Sequence, residues 1–299
     1  MWDMNFMKKN SMNTILKNTT RSAEKEGSTG ALARGLAIVD TILNASQPLT
    51  LSEIAVQTHL DQSTTMRLLR TLEDNGQILR TQDGKRYTGS PKALMPMPLM
   101  HPLNQLRREA SSLLLELSEK IRETVVLALF INHERIAIDI AQFPGSLAPY
   151  YSSWLKSDLH ASGSGKALLL SLEESHWKAL LGPGPYRAIT PNTITSQERL
   201  EQDLKKARER GYTVAREERH IDLTSISAPI QTWNNRTLGV LTMTGRSNTL
   251  DAEKIASIGE ELRRHADMMR YQIPSMNAVA DYLDSPRNAA SYHPADHLA

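Results

Sequence analysis

The residues best placed to do chemistry lie in two short stretches. From Gln62 to Leu72 the chain offers Gln62, Ser63, Thr64, Thr65, Arg67 and Arg70, with no acidic residue in between. The local field there is positive. Hydroxyls and backbone N–H groups at a helix start suit phosphate oxygens, and an arginine can make a bidentate contact to guanine. The second stretch is Leu159-His160-Ala161-Ser162-Gly163-Ser164-Gly165-Lys166-Ala167. It is not a nucleotide P-loop, because GxxxxGK[ST] needs glycine where His160 stands and Ser or Thr where Ala167 stands. A nucleophile elbow GxSxG around Ser164 would need glycine at 162, where Ser162 stands. What remains is a small-residue turn opening a helix. Its N–H groups and hydroxyls could receive a carboxylate, or its glycines could simply permit close packing.

Other chemistry is scarce. The chain has no cysteine, so there is no disulfide, thiolate zinc site or cysteine nucleophile. The nine histidines form no HExxH, and the only close pair is His293 and His297, so neither a metal nor a cofactor is expected. Trp154 and Trp233, like Tyr150 and Tyr151, could line a pocket or belong to the core.

These residues need elements to hold them. The 299 residues suggest about two domains. Lys plus Arg is 35 and Asp plus Glu is 33, too balanced to argue for nucleic acid from bulk charge, so any such claim rests on local patterning. No run of about 18 apolar residues exists, no secretory signal is evident near the start, and a cytoplasmic location is the simpler reading. Residues 1–30 and 274–299 are polar, aperiodic and expected to be mobile tails.

Leu32, Leu36, Val39, Ile42 and Leu43 recur at helical spacing. Thr50 and Glu53 form a capping-box pattern that opens a short helix to about Thr58. Asp61 is a good N-cap for a second helix ended by Gly76. Ile78 to Thr81 and Arg86 to Thr88 read as strands joined by Asp83-Gly84, a pair favoured in tight hairpins. Two short helices joined by about four residues make a helix-turn-helix, whose second helix can enter a DNA major groove while the hairpin forms a wing. The alternative is a solvated three-helix unit whose arginines only cover its surface. His59 occupies the turn where glycine would be easiest, although histidine tolerates positive φ. Lys85 and Arg86 on the wing would add phosphate or minor-groove contacts.

Beyond this unit, residues 91–103 read as a linker in which Pro96, Pro98 and Pro102 oppose a continuous helix and predict a bend or break. Leu103 to Ile121 reads as a long helix. Strands are expected at Thr124 to Ile131, Arg135 to Ile140, Thr213 to Arg216, Ser225 to Gln231 and Thr237 to Met243. Helices are expected at Ser164 to Ser171, Glu173 to Leu181, Gln197 to Arg210 and Asp251 to Arg270. The fold class is α+β, with a sensor-sized domain over 104–273.

Together the halves resemble IclR-type bacterial transcriptional regulators, from about Ala31 to Arg270. The matching stretches in the first half include Ala31 to Ile38, Leu51-Ser52-Glu53-Ile54-Ala55, Ser63 to Leu69 and Leu72-Glu73-Asp74-Asn75-Gly76. In the second half they are Leu159 to Ala167, Thr190 to Thr195, Arg210-Gly211-Tyr212 and Ser225 to Ile230. The resemblance implies a winged helix-turn-helix, a linker helix and a GAF-like effector-binding domain. The implied protein is a non-enzymatic homodimer or homotetramer that binds a double-stranded DNA operator and a small-molecule effector, commonly an organic acid. It places Ser63 to Arg67 on the recognition helix, and Ser162, Gly163, Ser164 and the neighbourhood of Ser225 at the pocket edge. Trp154, Ala215 and Ile226 complete the expected effector contacts. Ser225 stands where relatives often have cysteine, and Ala215 where some have an acidic residue, so the ligand is expected to differ. The rival reading is a metabolite-binding module or hydrolase whose first domain serves only assembly.

Overall fold

The computed structural model describes residues 30–94, 99–131, 134–147 and 158–284. They fall into two compact units, divided between Pro96 and Met97. Pro96, Pro98 and Trp154 lie outside the described residues, as do Tyr150 and Tyr151.

The first unit opens with α1 (Ala31–Leu43) and continues through β1 (Leu49–Thr50), α2 (Leu51–Gln57) and α3 (Gln62–Asp74). The hairpin β2 (Ile78–Arg80) and β3 (Arg86–Gly89) follows, and α4 (Pro91–Leu94) closes it. The capping box is formed: the Glu53 N–H donates to Thr50 Oγ1 at 3.3 Å and the Thr50 N–H to Glu53 Oε2 at 2.7 Å. Asp61 Oδ1 accepts from the Thr64 N–H at 2.8 Å, fixing the start of α3. Between these helices His59 takes φ +55°, the left-handed conformation that the tight turn demands. The short β1, which the sequence reading did not include, pairs with β3 opposite β2 to give the order β1-β3-β2.

The core of this unit is Ile38, Ile42, Ile54, Leu69, Ile78 and Tyr87. It corrects the face assigned to α1. The buried stripe runs through Gly35, Ile38 and Ile42, whereas Leu32 and Leu36 are 77% and 57% exposed. Two apolar stripes lie side by side on this helix, and periodicity alone does not choose between them.

The second unit contains α5 (Pro102–Ile121), β4 (Val125–Ile131), β5 (Glu134–Ala141), α6 (Gly163–Ser171), α7 (Glu174–Leu181) and α8 (Gln197–Arg210). Then come β6 (Thr213–Arg216), β7 (Leu223–Gln231), β8 (Thr237–Arg246), α9 (Ala252–Gln272) and α10 (Ser275–Asp284). Pro102 does not break α5; it occupies the first turn, where its missing N–H costs nothing, behind His101 as N-cap. The strands form one antiparallel sheet in the order β5-β4-β8-β7-β6.

Alternation along the strands separates two environments. Val125, Leu127, Leu129, Ile226, Ala228, Ile230 and Met243 join the main core with residues of α5, α9 and α10. The opposite face packs Ala128 and Val240 against Ala167 of α6. Residues 275–284 depart from the expected mobile tail: Met276, Val279 and Ala280 are buried in the main core, and Ser275 donates to Glu109 Oε2 at 2.7 Å. Residues 285–299 lie outside the described residues.

Candidate DNA interface and effector site

On α3 the core contact is made by Leu69 and Thr65, and the opposite face carries Ser63, Arg67 and Arg70 exposed at i, i+4 and i+7. Neither guanidinium pairs with a carboxylate among the described residues. Gln62 is exposed and donates from Nε2 to Ser52 Oγ at 3.3 Å, and Thr64 is half-buried. Thr65 does not belong with these residues. It is fully buried, and its hydroxyl donates to the Asp61 carbonyl at 2.8 Å, because position 65 turns inward with Leu69.

The hairpin holds the wing cations differently. Asp83 Oδ1 accepts from Thr81 Oγ1 at 2.6 Å and from the Lys85 N–H at 3.1 Å, while Gly84 takes φ +69°. Lys85 is exposed at the tip, and its ammonium meets no carboxylate among the described residues. The Arg86 guanidinium instead turns back to the body of the unit, donating to the Pro48 carbonyl at 2.9 Å and lying 3.5 Å from Glu53. Lys85 belongs to the exposed turn, whereas Arg86, the first residue of β3, closes the β1 edge. Arg86 stays exposed, but unlike Lys85 its guanidinium is already engaged by the body of the unit.

In the second unit, Ser162 caps α6: its Oγ accepts from the Gly165 N–H at 3.2 Å. The Gly163 N–H donates to Ser225 Oγ at 2.9 Å, and Thr213 Oγ1 donates to the Gly163 carbonyl at 2.8 Å. A Cβ on Gly163 would stand 2.7 Å from Ser227 Oγ and 2.9 Å from Ser225 Oγ. Close packing is therefore one reason for the glycine here. It is not the whole content of the turn, because the surface it meets is polar.

Ala215 lies opposite Ser225, and Ser225 opposite Thr244, while Thr213, Ser227 and Thr242 form the next row. Ser225 and Thr244 are half-buried, unlike the buried Ser227 and Thr242. Ile226 is corrected by the same alternation: it is fully buried in the main core on the other face of the sheet.

The sequence reading missed Arg135. It stands at the second position of β5 opposite Phe130 and is 3% exposed. Its guanidinium donates to Ser162 Oγ at 2.9 Å and Ser164 Oγ at 3.1 Å. Burial, with Arg219 second, pulls its pKa down to about 10, against the opposite influence of Asp158 and Glu134. The available signal was the lone basic residue of a strand whose other charged residues, Glu134 and Asp139, are acidic.

Lys166, also fully buried, holds the far side of the turn through Asp203 at 2.8 Å, Glu218 at 2.6 Å and the Val214 carbonyl at 3.2 Å. Burial pushes the Glu218 carboxyl above its ordinary range, with Lys166 opposing. The Thr190 to Thr195 stretch is tied to the same place, Thr193 Oγ1 donating to the Glu218 carbonyl at 2.6 Å. A cavity of about 320 Å³ lies beside this turn, lined by Leu159, His160, Leu181, Tyr186 and Arg187 among others, but by none of the expected effector residues. No group of three or more metal-ligating side chains occurs among the described residues, and no helix among them is long and apolar enough to cross a membrane.

A winged helix-turn-helix joined in one chain to a sheet domain with a hydroxyl-rich face defines a two-part DNA-binding regulator. Comparison with known families agrees. Residues 31–82 match the IclR helix-turn-helix domain, and residues 102–271 match the bacterial transcriptional regulator IclR C-terminal domain. The chain belongs to the IclR family of bacterial transcriptional regulators. The transcriptional repressor IclR of Escherichia coli K12 is 28% identical to it, over 81% of this chain and 89% of the relative. The acetate operon repressor of Salmonella typhimurium shows the same identity and coverage. The crystal structure of Thermotoga maritima IclR matches with a TM-score of 0.66 at 28% identity, covering 81% of this chain and 98% of that one.

Proposed function

We propose that this protein is a ligand-responsive transcriptional repressor. It acts in the cytoplasm as a homodimer or homotetramer without catalytic activity, and a small metabolite modulates its operator affinity. The observation that carries the DNA half is the outward face of α3, where Ser63, Arg67 and Arg70 stand opposite the core with both guanidinium groups unengaged among the described residues. Gln62 and Thr64 flank that face, and Lys85 extends it to the wing. Ser63, Thr64 and Lys85 are suited to phosphates, and Arg67 and Arg70 to base edges. Repression is supported by the names of the relatives, two of which are called repressors.

The effector half is supported by the turn from Ser162 to Ser164 and by Ala215 and Ser225 facing it from the sheet. Trp154 belongs to this proposal through the sequence alone, as an aromatic side chain that could line a pocket. A metabolite alters operator affinity only if it binds one arrangement of the reading heads better than another.

The test is fluorescence anisotropy of the full chain on a duplex from the upstream region of its own gene, against a scrambled duplex, over a salt series. The expected result is preferential binding of the first duplex, with log K falling linearly in log salt at a slope of roughly −0.9 for each phosphate contacted. Equal affinity for both duplexes at every salt concentration would refute the DNA half.

A further inference from the structure

The cavity of about 320 Å³ in the second unit lies between the C-terminal end of α7, residues 182–187 and the 3-10 turn Leu159–Ala161. Ser162, Gly163, Ser164, Ala215 and Ser225 take no part in its walls. Small-molecule sites span about 300–1,000 Å³, so this one suits a ligand at the small end of that range. Part of the wall is apolar. Leu159 and Leu181 are half-buried, and Leu180 is 41% exposed. An aliphatic group laid over Leu180 takes apolar surface out of water and is favoured by the hydrophobic effect.

The rest of the wall carries one charge of each sign, Asp158 and Arg187. Among the described residues neither forms an ion pair, with the other or with a third side chain. Asp158 stands at the N-cap of the 3-10 turn, yet its carboxylate makes no capping bond; it contributes a secondary field at Arg135. Other bonds hold the two walls together. The His160 Nε2 lies 3.0 Å from the Arg187 carbonyl and, since a carbonyl only accepts, donates to it. The Tyr186 N–H donates to the Thr195 carbonyl at 2.7 Å, and the His160 and Tyr186 rings lie with centroids 5.2 Å apart. The backbone that carries Arg187 is thereby fixed against the turn that Asp158 opens, and it is fixed without using either charge.

We propose that this cavity is a second small-molecule site, separate from the effector site, and that its ligand is a free apolar α-amino acid. Arg187 receives the α-carboxylate, Asp158 receives the α-ammonium, and the aliphatic side chain lies over Leu180 and Leu181. A zwitterion matches both charges at once. An anion alone is repelled by Asp158 and a cation alone by Arg187, so the pair of side chains discriminates against either. A peptide terminus offers only one of the two charges, which leaves the free amino acid as the complementary ligand.

The test uses the full chain and three probe series. Valine, leucine and methionine are compared by thermal shift and titration calorimetry with their primary amides, which lack the anion. They are also compared with the acids of the same skeleton that lack the ammonium. At least one amino acid raises the melting temperature, and each of its two analogues binds at least about fivefold more weakly, as expected for losing a charge-assisted contact. The two gaps then close crosswise. In Arg187→Gln the amino acid binds no better than its amide, and in Asp158→Asn no better than the acid without the ammonium. Ligand-free melting curves accompany both variants, and Arg187→Met and Asp158→Ser repeat either arm whose first variant melts below the parent. No amino acid binding, or either gap surviving its matching variant, overturns the proposal. The operator and effector readings stand in that event, because neither uses Asp158 or Arg187.

Discussion

Exposure separates side chains that the sequence alone grouped together. Thr65 and Arg67 are two positions apart, yet one hydroxyl is locked onto the Asp61 carbonyl inside the first unit and the other side chain stands in solvent. Their substitutions should therefore fail differently. Arg67→Ala is expected to weaken operator binding by about 1–3 kcal/mol if it reads a base, with an unchanged melting temperature. Thr65→Val keeps the shape and removes the buried hydroxyl bond. It is expected to cost about 1 kcal/mol of stability, while affinity per folded molecule stays constant. Anisotropy and thermal melts on both variants, done together, check the assignment. A Thr65→Val protein that melts normally and binds DNA weakly would return position 65 to the interface. Lys166 follows the same logic of burial in the second unit. Its ammonium is justified by Asp203 and Glu218, and a lysine fully out of solvent without such partners would be neutral or excluded.

At the level of elements, most of the fold is legible because its determinants are local. Thr50 with Glu53, Asp61, and the Asp83-Gly84 pair specify caps and a turn within a few residues of themselves, and α2, α3 and the wing follow. The strands β4 and β6 to β8 are equally readable from β-branched runs. What escapes is decided by partners far away in sequence. β1 exists only because β3 offers it an edge, the buried side of α1 is chosen by Ile54 and Leu69, and Arg135 acquires meaning only when α6 arrives above β5. The same holds for α10. Its apolar positions Met276, Val279 and Ala280 look unremarkable in a polar C-terminal stretch until α5 supplies the surface they cover. Ending the chain after Ile273 removes these contacts and the Ser275 bonds to Glu109. Burying two such side chains is worth about 1.5–3 kcal/mol each at most, so the shortened protein should melt several degrees lower. A cut after Asp284 serves as the control, so that the difference between the two truncations isolates α10. Equal melting temperatures for the two truncations would show α10 to be dispensable.

For the whole molecule, the consequential question is how a small recognition surface achieves specificity. One copy of α3 presents Ser63, Arg67 and Arg70 outward, flanked by Gln62 and Thr64, and reaches only a few base pairs. On the proposed reading, specific affinity comes from a second copy. Two-fold symmetry between copies imposes a matching symmetry on the operator, and a fixed separation between half-sites. The proposed homodimer, or a tetramer built from it, thus predicts a helical phase. Inserting about 5 base pairs between the half-sites turns one of them to the opposite side of the duplex, so simultaneous docking should fail and affinity should fall to the level of a single half-site. Inserting about 10 restores the facing and should recover part of the loss, limited by the extra distance that must be spanned. Anisotropy on the parent operator and the two insertions, paired with sedimentation of the free protein, checks this. Affinity that declines smoothly with insertion length, without recovery at a full turn, would indicate that the two reading heads are not held at a fixed spacing. The operator would then be read by independent copies of the first unit.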